Sequence, residues 1–322
     1  MNKKALVLGI SGQDGAYLAQ LLLRKGYEVY GGSRDAGARR FDNLVRLGIR
    51  DNIQLLSINL TDFHSVVTAL ERIQPDEIYN LAGQSSVGLS FEQPVEAIES
   101  ITLACLNLLE GIRLLDLPVR LYYAASSECF GDTGGQAASE TTPFSPTSPY
   151  AVAKCSAYWL VENYRRAYGL YACSGLLFNH ESPLRLERFV TRKIVSAAVR
   201  IASGSTEKLV LGNTAICRDW GWAPEYVDAM WRMLQQDAAR DFVIATGSTH
   251  SLETFIELAF DYVGLRWRDH VTVDATYARP ADITHSCGDA SAAFAELGWQ
   301  AETDIEGIVT RMVDAERAPL DK

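Results

Sequence analysis

Three glycines at a fixed spacing restrict what this chain can fold into more than any other feature. Gly9, Gly12 and Gly15 give G-x-x-G-x-x-G, completed by Ile10, Ser11, Gln13 and Asp14. Residues 4–10 before them are almost continuously apolar and read as a buried parallel strand. Behind them, over 15–25, Tyr17, Leu18, Leu21 and Leu22 recur at helical spacing. A strand, a glycine turn and a helix make a unit whose backbone can turn tightly and approach a pyrophosphate. The helix amides then point at that charge. The reading is a dinucleotide site.

The unit repeats along the chain. Further strands are predicted at 28–30, 54–58, 77–81, 120–125 and 170–178, with helices at 64–73, 94–115 and 149–168. Alternating strands and helices predict a doubly wound parallel sheet. Residues 129–149, rich in Gly, Ser, Thr and Pro, read as a long functional loop. Beyond Asn179 the pattern is less regular. Helices are expected at 189–203, 224–238, 251–263, 289–297 and 302–317, with short strands near 208–211, 242–245 and 271–273. The expected fold is α/β: a Rossmann-type doubly wound parallel sheet with a smaller C-terminal α/β substrate lobe. Residues 1–175 are assigned to the cofactor domain, which also receives part of 212–246. Residues 176–322 are assigned to the substrate lobe.

Composition narrows the function. The 322 residues are 48% hydrophobic and 22% charged, with a net charge of −10, which argues against nucleic-acid partners. An anionic substrate would need a local cluster of arginines. Cys105, Cys129, Cys155, Cys173, Cys217 and Cys287 show no C-x-x-C spacing, so reduced thiols in a cytoplasmic protein are expected. Five scattered histidines give no metal motif. No apolar run reaches the roughly 18 residues of a membrane span, so no membrane partner is expected.

The end of the second strand selects the dinucleotide, because an acidic residue there holds a ribose 2′-hydroxyl and an arginine suits a 2′-phosphate. Here the chain reads Ser33-Arg34-Asp35, then Arg39-Arg40. Arg34 favours NADP, and Asp35 leaves NAD open. Asn59 and Leu60 follow the third strand, where an adenine-contacting side chain would sit.

Tyr150 and Lys154 lie four apart on one predicted helix and therefore face one side. Lys154 is placed to bond a nicotinamide ribose, and its charge is expected to lower the pKa of Tyr150. Tyr150 can then take a hydroxyl proton as hydride leaves the same carbon. Ser126, just past the fifth strand, can hold the reacting oxygen. Glu128 follows, flanked by Cys129 and Phe130, a neutral setting that makes a carboxylate a better base. A simple alcohol dehydrogenase has no use for that carboxylate. Its presence points to proton abstraction from carbon, and so to an elimination.

With these segments in place the sequence resembles the GDP-mannose 4,6-dehydratases, extended short-chain dehydrogenase/reductases. The resemblance runs over residues 9–18 (GISGQDGAYL), 80–87 (NLAGQSSV), 126–131 (SSECFG), 142–154 (TPFSPTSPYAVAK), 177–193 (LFNHESPLRLERFVTRK) and 218–221 (RDWG), and over Arg279-Pro280 and 297–299 (LGW). It implies a catalytic set of Ser126, Glu128, Tyr150 and Lys154, with Glu128 as base at sugar C5. It implies cofactor contacts from Gly9, Ser11, Gly12, Gln13, Asp14, Gly15, Leu81, Ala82, Gly83, His180 and Arg185. Ser85, Asn179, Lys193, Arg218 and Arg279 match nucleotide-sugar contacts, where guanidinium forks suit pyrophosphate oxygens.

The implied partners are a GDP-sugar and further copies of the chain, as a homodimer or homotetramer. The implied reaction is oxidation at C4, loss of water across C5 and C6, and hydride return to C6. Departures fall at Ser86, Thr147, Leu184, Leu186 and the Ser33–Gly37 loop, where they bear on sugar identity, cofactor and assembly. The competing readings are a dehydratase of another NDP-sugar such as a GDP-heptose, a 4-epimerase or 4-keto-sugar reductase, and a non-catalytic nucleotide-sugar sensor.

Overall fold

The computed structural model describes residues 2–38, 40–274, 276 and 281–318. The first half alternates as the glycine unit predicts. It runs β1 (Lys4–Leu8), α1 (Gln13–Arg24), β2 (Glu28–Ser33), α2 (Asp42–Arg46), β3 (Gln54–Ser57), α3 (Phe63–Ile73), β4 (Glu77–Asn80), α4 (Val87–Glu92), α5 (Pro94–Ile98), α6 (Ala104–Leu114), β5 (Arg120–Ala124), α7 (Pro149–Tyr168) and β6 (Ala172–Leu177). The second half holds β7 (Asn179–Glu181), α8 (Val190–Ala202), β8 (Leu209–Leu211), β9 (Cys217–Trp222), α9 (Ala223–Met233), β10 (Phe242–Ile244), β11 (Thr249–Ser251), α10 (Leu252–Tyr262), β12 (Val271–Val273), α11 (Ser291–Leu297) and α12 (Ile305–Arg317).

Seven strands form one parallel sheet in the order β10-β6-β5-β4-β1-β2-β3. The chain starts at β1, winds outward to β3, then crosses back to β4. That reversal beside β1 is the switch point at which open α/β sheets hold their ligands. Alternate residues of each strand enter opposite cores. Leu6, Leu8, Ile78, Leu121 and Tyr123 pack with α3, α6 and α7. Ala5, Val7, Tyr79 and Tyr122 pack with α1 and α9. A third core joins α8, α10 and α12 to β8 and β9.

The chain crosses between its halves more than once. Phe242–Ile244 returns to the main sheet beside Gly175–Leu177, and α9 packs on α1. Two details differ from the periodicity. The predicted helix 94–115 is two helices joined by a π-helical turn at Glu99–Leu103. A three-stranded sheet, β11-β9-β7, was not expected. Its strands carry NHE, CRDWGW and THS, which have no apolar alternation to read. No helix among the described residues is long and apolar enough to cross a membrane.

Candidate active site

The predicted site residues follow strand ends. Gly9 comes after β1, Arg34 after β2, Asn59 after β3, Leu81 after β4, Ser126 after β5 and Asn179 after β6. All these strands run parallel, so these residues gather along one edge of the sheet.

At the glycine turn the backbone is packed on itself. A Cβ on Gly9 would lie 2.8 Å from the Leu81 carbonyl oxygen, and one on Gly15 would lie 2.4 Å from the Gly9 carbonyl oxygen. Gly9 also has φ +83°. Larger residues would push the turn off the sheet. No side chain caps α1, so its first amides face outward beside the switch point, a cradle of the kind that takes a pyrophosphate. Leu81 and Ala82 flank it, with Leu81 N donating to the Leu8 carbonyl (3.0 Å) and Ala82 N to the Asn80 side chain (3.3 Å). Gly83 follows in the same loop at φ +132°.

Toward the adenosine side, Arg34 is 73% exposed and pairs loosely with Glu96 at 3.6 Å. Asn59 Oδ1 accepts from Thr61 N and Oγ1, at 3.3 and 2.9 Å. Leu60 is buried, and its carbonyl takes the Asn107 amide at 2.9 Å.

The first turn of α1 is bound to β7. Gln13 Nε2 donates to the His180 carbonyl (3.1 Å), and Ser182 Oγ donates to Gln13 Oε1 (2.7 Å). His180 Nε2 lies 3.0 Å from Asp14 Oδ2. Burial opposes the His180 charge, but the Asp14 carboxylate outweighs it and raises the pKa. Burial likewise opposes the Asp14 charge, and His180 overcomes it, holding the carboxyl down at about 2. Arg185 donates to the His180 carbonyl (3.0 Å) and pairs with the buried Glu181 at 2.9 Å. Glu181 also accepts from Thr191 Oγ1 at 2.6 Å. The sequence named both Asp14 and His180 as cofactor contacts but did not reveal this ion pair.

On the other side of the switch point stand the remaining side chains. Ser148 caps α7 by accepting from Ala151 N at 3.1 Å, and Pro149 occupies its first turn. This fixes the start of α7 one residue before Tyr150. Tyr150 and Lys154 are both buried. Ser126 and Glu128 both act on the Tyr150 hydroxyl, in opposite directions. Ser126 Oγ also accepts from Glu128 N at 3.3 Å, capping the Ser127–Phe130 turn. Ser126, Glu128, Tyr150 and Lys154 therefore form one cluster.

One expectation fails. Burial pushes Tyr150 upward; Ser126 pulls it back, and Glu128 adds to the rise. Lys154 is not among the groups that move it most. Its Nζ donates to the Ala124 carbonyl at 2.7 Å and sits 5.7 Å from the Tyr150 ring centre. Burial also draws the ammonium down to about 8. In the protein alone the lysine is tied to β5 instead of activating the tyrosine.

The substrate-side residues come from both halves. Arg188, which the sequence did not single out, reaches Ser85 Oγ at 3.4 Å. It lies in the same 177–193 segment as Asn179 and Lys193, and that was the only signal available. Lys193 Nζ donates to the Val210 carbonyl at 2.8 Å. Arg218 is buried on β9. Its Nη1 donates to the Ile283 and Cys217 carbonyls (2.7 and 2.9 Å), and its Nη2 to Asp282 Oδ1 (3.0 Å). Asp219 beside it accepts from Thr246 N, Thr246 Oγ1 and Gly247 N at 2.9, 2.8 and 2.9 Å. The fifth substrate-side candidate, Arg279, lies outside the described residues.

Known proteins share this sequence pattern and fold. A family model described as GDP-mannose 4,6 dehydratase matches residues 6–312. The chain is similar to GDP-mannose 4,6 dehydratase 1 of Arabidopsis thaliana, at 47% identity over 97% of this chain and 89% of that one. It is similar to GDP-mannose 4,6-dehydratase of Vibrio cholerae at 43% identity, over 97% of this chain and 93% of that one. Among solved structures, a Thermus thermophilus UDP-glucose 4-epimerase in complex with NAD has the same fold. Its TM-score is 0.87 at 24% identity, covering 98% of this chain and 100% of that one. Sequence and fold together place this chain in the GDP-mannose 4,6-dehydratase family.

Proposed function

We propose that the chain is a nicotinamide-dependent hydro-lyase that converts GDP-mannose to GDP-4-keto-6-deoxymannose. Family membership supports the reaction. The observation that carries it is the convergence of Ser126, Glu128, Tyr150 and Lys154, with Ser126 Oγ capping the turn that bears Glu128 at 3.3 Å and Lys154 Nζ 5.7 Å from the Tyr150 ring centre. A dehydrogenase uses only the hydroxyl pair, and the carboxylate gives the elimination its base.

The residues present fit the cofactor. The uncapped start of α1 and the glycine turn would take the pyrophosphate, with Ser11, Gln13 and Asp14 lining it. Asn59 and Leu60 would flank the adenine, and Leu81–Gly83 the adjoining ribose and phosphate. Lys154 would reach the nicotinamide ribose. His180 and Arg185 would close the site from β7. Arg34 at the end of β2 supports NADP over NAD. A bound nicotinamide would supply the hydride acceptor for C4 and the hydride donor for C6.

The protein's own groups move the protons. Ser126 holds the C4 oxygen, and Tyr150 takes the proton from the C4 hydroxyl. The ketone formed there acidifies the C5 proton, which Glu128 removes. The C6 hydroxyl then leaves as water, its proton balanced by the one Tyr150 took from the C4 hydroxyl, and Glu128 returns its proton to C5. Ser85, Asn179, Lys193, Arg218 and Arg279 would hold the GDP, with residues 176–322 acting as the substrate lobe on a cofactor domain of 1–175 that includes β10. Exposed Val152 and Trp159 on α7, with Val95 on α5, support assembly as a homo-oligomer through this face.

The test is mass spectrometry of GDP-mannose incubated with the protein and catalytic NADP. Loss of one water from the sugar nucleotide is expected. An unchanged mass with the sugar isomerised would make the chain an epimerase and overturn the reading. Replacing Arg34 with alanine should weaken NADP binding and spare NAD. Equal affinities before and after would remove the case for NADP.

A further inference from the structure

Two thiols stand directly behind the catalytic cluster, and neither has a part in the reaction above. Cys129 follows Glu128 in the Ser127–Phe130 turn and is fully buried. Cys155 follows Lys154 on α7 and is 8% exposed. Cys155 Sγ donates to the Cys129 carbonyl oxygen at 3.9 Å, which brings the two cysteines side by side. The turn and the helix therefore meet through sulfur, one residue away from the proposed base and the proposed lysine.

We infer that Cys129 and Cys155 are a site of reversible oxidative modification, at which peroxide joins them as a disulfide and so switches off dehydration. The loss of activity rests on the reading of Glu128 and Lys154 given above; the disulfide itself does not.

The two thiols are unequal in the way this chemistry needs. Cys155 is the more accessible, and the neighbouring Cys129 draws its pKa down, against the opposing effect of burial. Burial holds Cys129 well up. Cys155 is thus the thiolate that attacks. Its sulfur takes one peroxide oxygen as the O–O bond breaks, giving a sulfenic acid, and the other oxygen leaves as water. Cys129 sulfur then attacks the sulfenic sulfur, the S–O bond breaks, and a second water leaves. Two thiols are oxidised by two electrons, and one peroxide is reduced to two waters. The sulfurs must close to about 2.05 Å. That pulls the turn against α7 and moves Glu128 relative to Tyr150. A displacement of about 1 Å in such a site costs up to about a hundredfold in rate.

The experiment uses the full chain with Cys217 and Cys287 replaced by serine, since both are more exposed. The protein is treated with hydrogen peroxide, digested without reduction and mapped by mass spectrometry, with activity followed in parallel. A Cys129–Cys155 cross-linked peptide is expected, together with at least a tenfold loss of activity that dithiothreitol restores. Cys155→Ala should keep its activity in peroxide. Absence of the cross-linked peptide, or equal inactivation of Cys155→Ala, would overturn the proposal, as would full activity in the cross-linked protein. If the cross-link forms in a protein that never dehydrates GDP-mannose, the catalytic reading fails and the disulfide site stands.

Discussion

His180 Nε2 sits 3.0 Å from Asp14 Oδ2, while His180 Nδ1 sits 2.7 Å from the Phe178 carbonyl oxygen. A carbonyl oxygen can only accept, and a carboxyl held near 2 is ionised at neutral pH and also accepts. Both ring nitrogens must therefore donate, which makes His180 an imidazolium. The ring is buried and stacks on Tyr226 at 4.5 Å. A charged histidine thus ties the first turn of α1 to β7, across the place where the cofactor cradle meets the substrate side.

The pair makes stability depend on pH at both ends. The His180 pKa is raised above its ordinary 6.5, so its contribution is complete below that value. It is lost as pH rises through the higher, folded value. Asp14 falls from 3.8 to about 2, so its contribution is complete above 3.8 and is lost as pH drops toward 2. Asp14→Asn leaves a buried charge unpaired, and should cost about 3 kcal/mol near neutrality. In urea unfolding, the gap between wild type and Asp14→Asn should narrow in alkaline solution as His180 loses its proton. A gap that stays constant through that range would mean His180 is neutral.

Glu128→Gln should separate the two halves of the reaction. The C4 hydroxyl still meets Tyr150 and Ser126, so reduced nicotinamide should appear on mixing with GDP-mannose. The elimination loses its base and should slow by about 10²–10⁴-fold. Stopped-flow absorbance of the reduced nicotinamide and mass spectrometry of the sugar read the two steps separately. Equal slowing of both would show that Glu128 positions the sugar and does not act at C5.

The fold was legible where burial is two-sided. β1 and β6 are largely apolar and bounded by turns, and such runs announce a parallel sheet. The one-helix spacing of Tyr150 and Lys154 placed that pair correctly, because helical periodicity fixes which side chains share a face. The β11-β9-β7 sheet was not legible. Its three short strands are held by polar anchors: Asp219 accepts from Thr246 and Gly247, and Arg218 donates to Ile283 and Asp282. Such contacts join residues far apart in the chain and leave no local pattern. For the same reason Asp14 and His180, 166 residues apart, could be named but not joined. The expected activation of Tyr150 by Lys154 is not seen in the protein alone, because spacing gives a shared face and not a hydrogen-bond partner; the ammonium donates to the Ala124 carbonyl.

That failure has a test of its own. If burial, and not Lys154, sets the Tyr150 pKa in the free protein, Lys154→Met should leave it unmoved. The tyrosinate absorbance attributable to Tyr150, taken by difference against Tyr150→Phe, should titrate at the same pH in both backgrounds. The variant should still lose stability by about 1–3 kcal/mol, because the buried Ala124 carbonyl loses its donor. A rise of a full unit in the Tyr150 titration would show that Lys154 activates it directly.

Gly221 on β9 supports the His180 clamp from behind. A Cβ there would lie 2.2 Å from Tyr226 Cε2, inside the hard-contact distance of a ring that cannot bend. Tyr226 cannot retreat easily. It is fully buried, with His180 stacked on one side and Trp299 edge-on at 5.6 Å. Gly221→Ala should therefore destabilise the fold by about 1–3 kcal/mol through overpacking. It should also shift the imidazolium resonances of His180 in NMR, because the stacked ring must move. Tyr226→Leu removes the clashing ring edge at the expense of a cavity. The double variant should then lose less than the two single variants added together, the sign of two side chains competing for one space. Strict additivity of the two losses would place the strain elsewhere and detach Gly221 from the clamp.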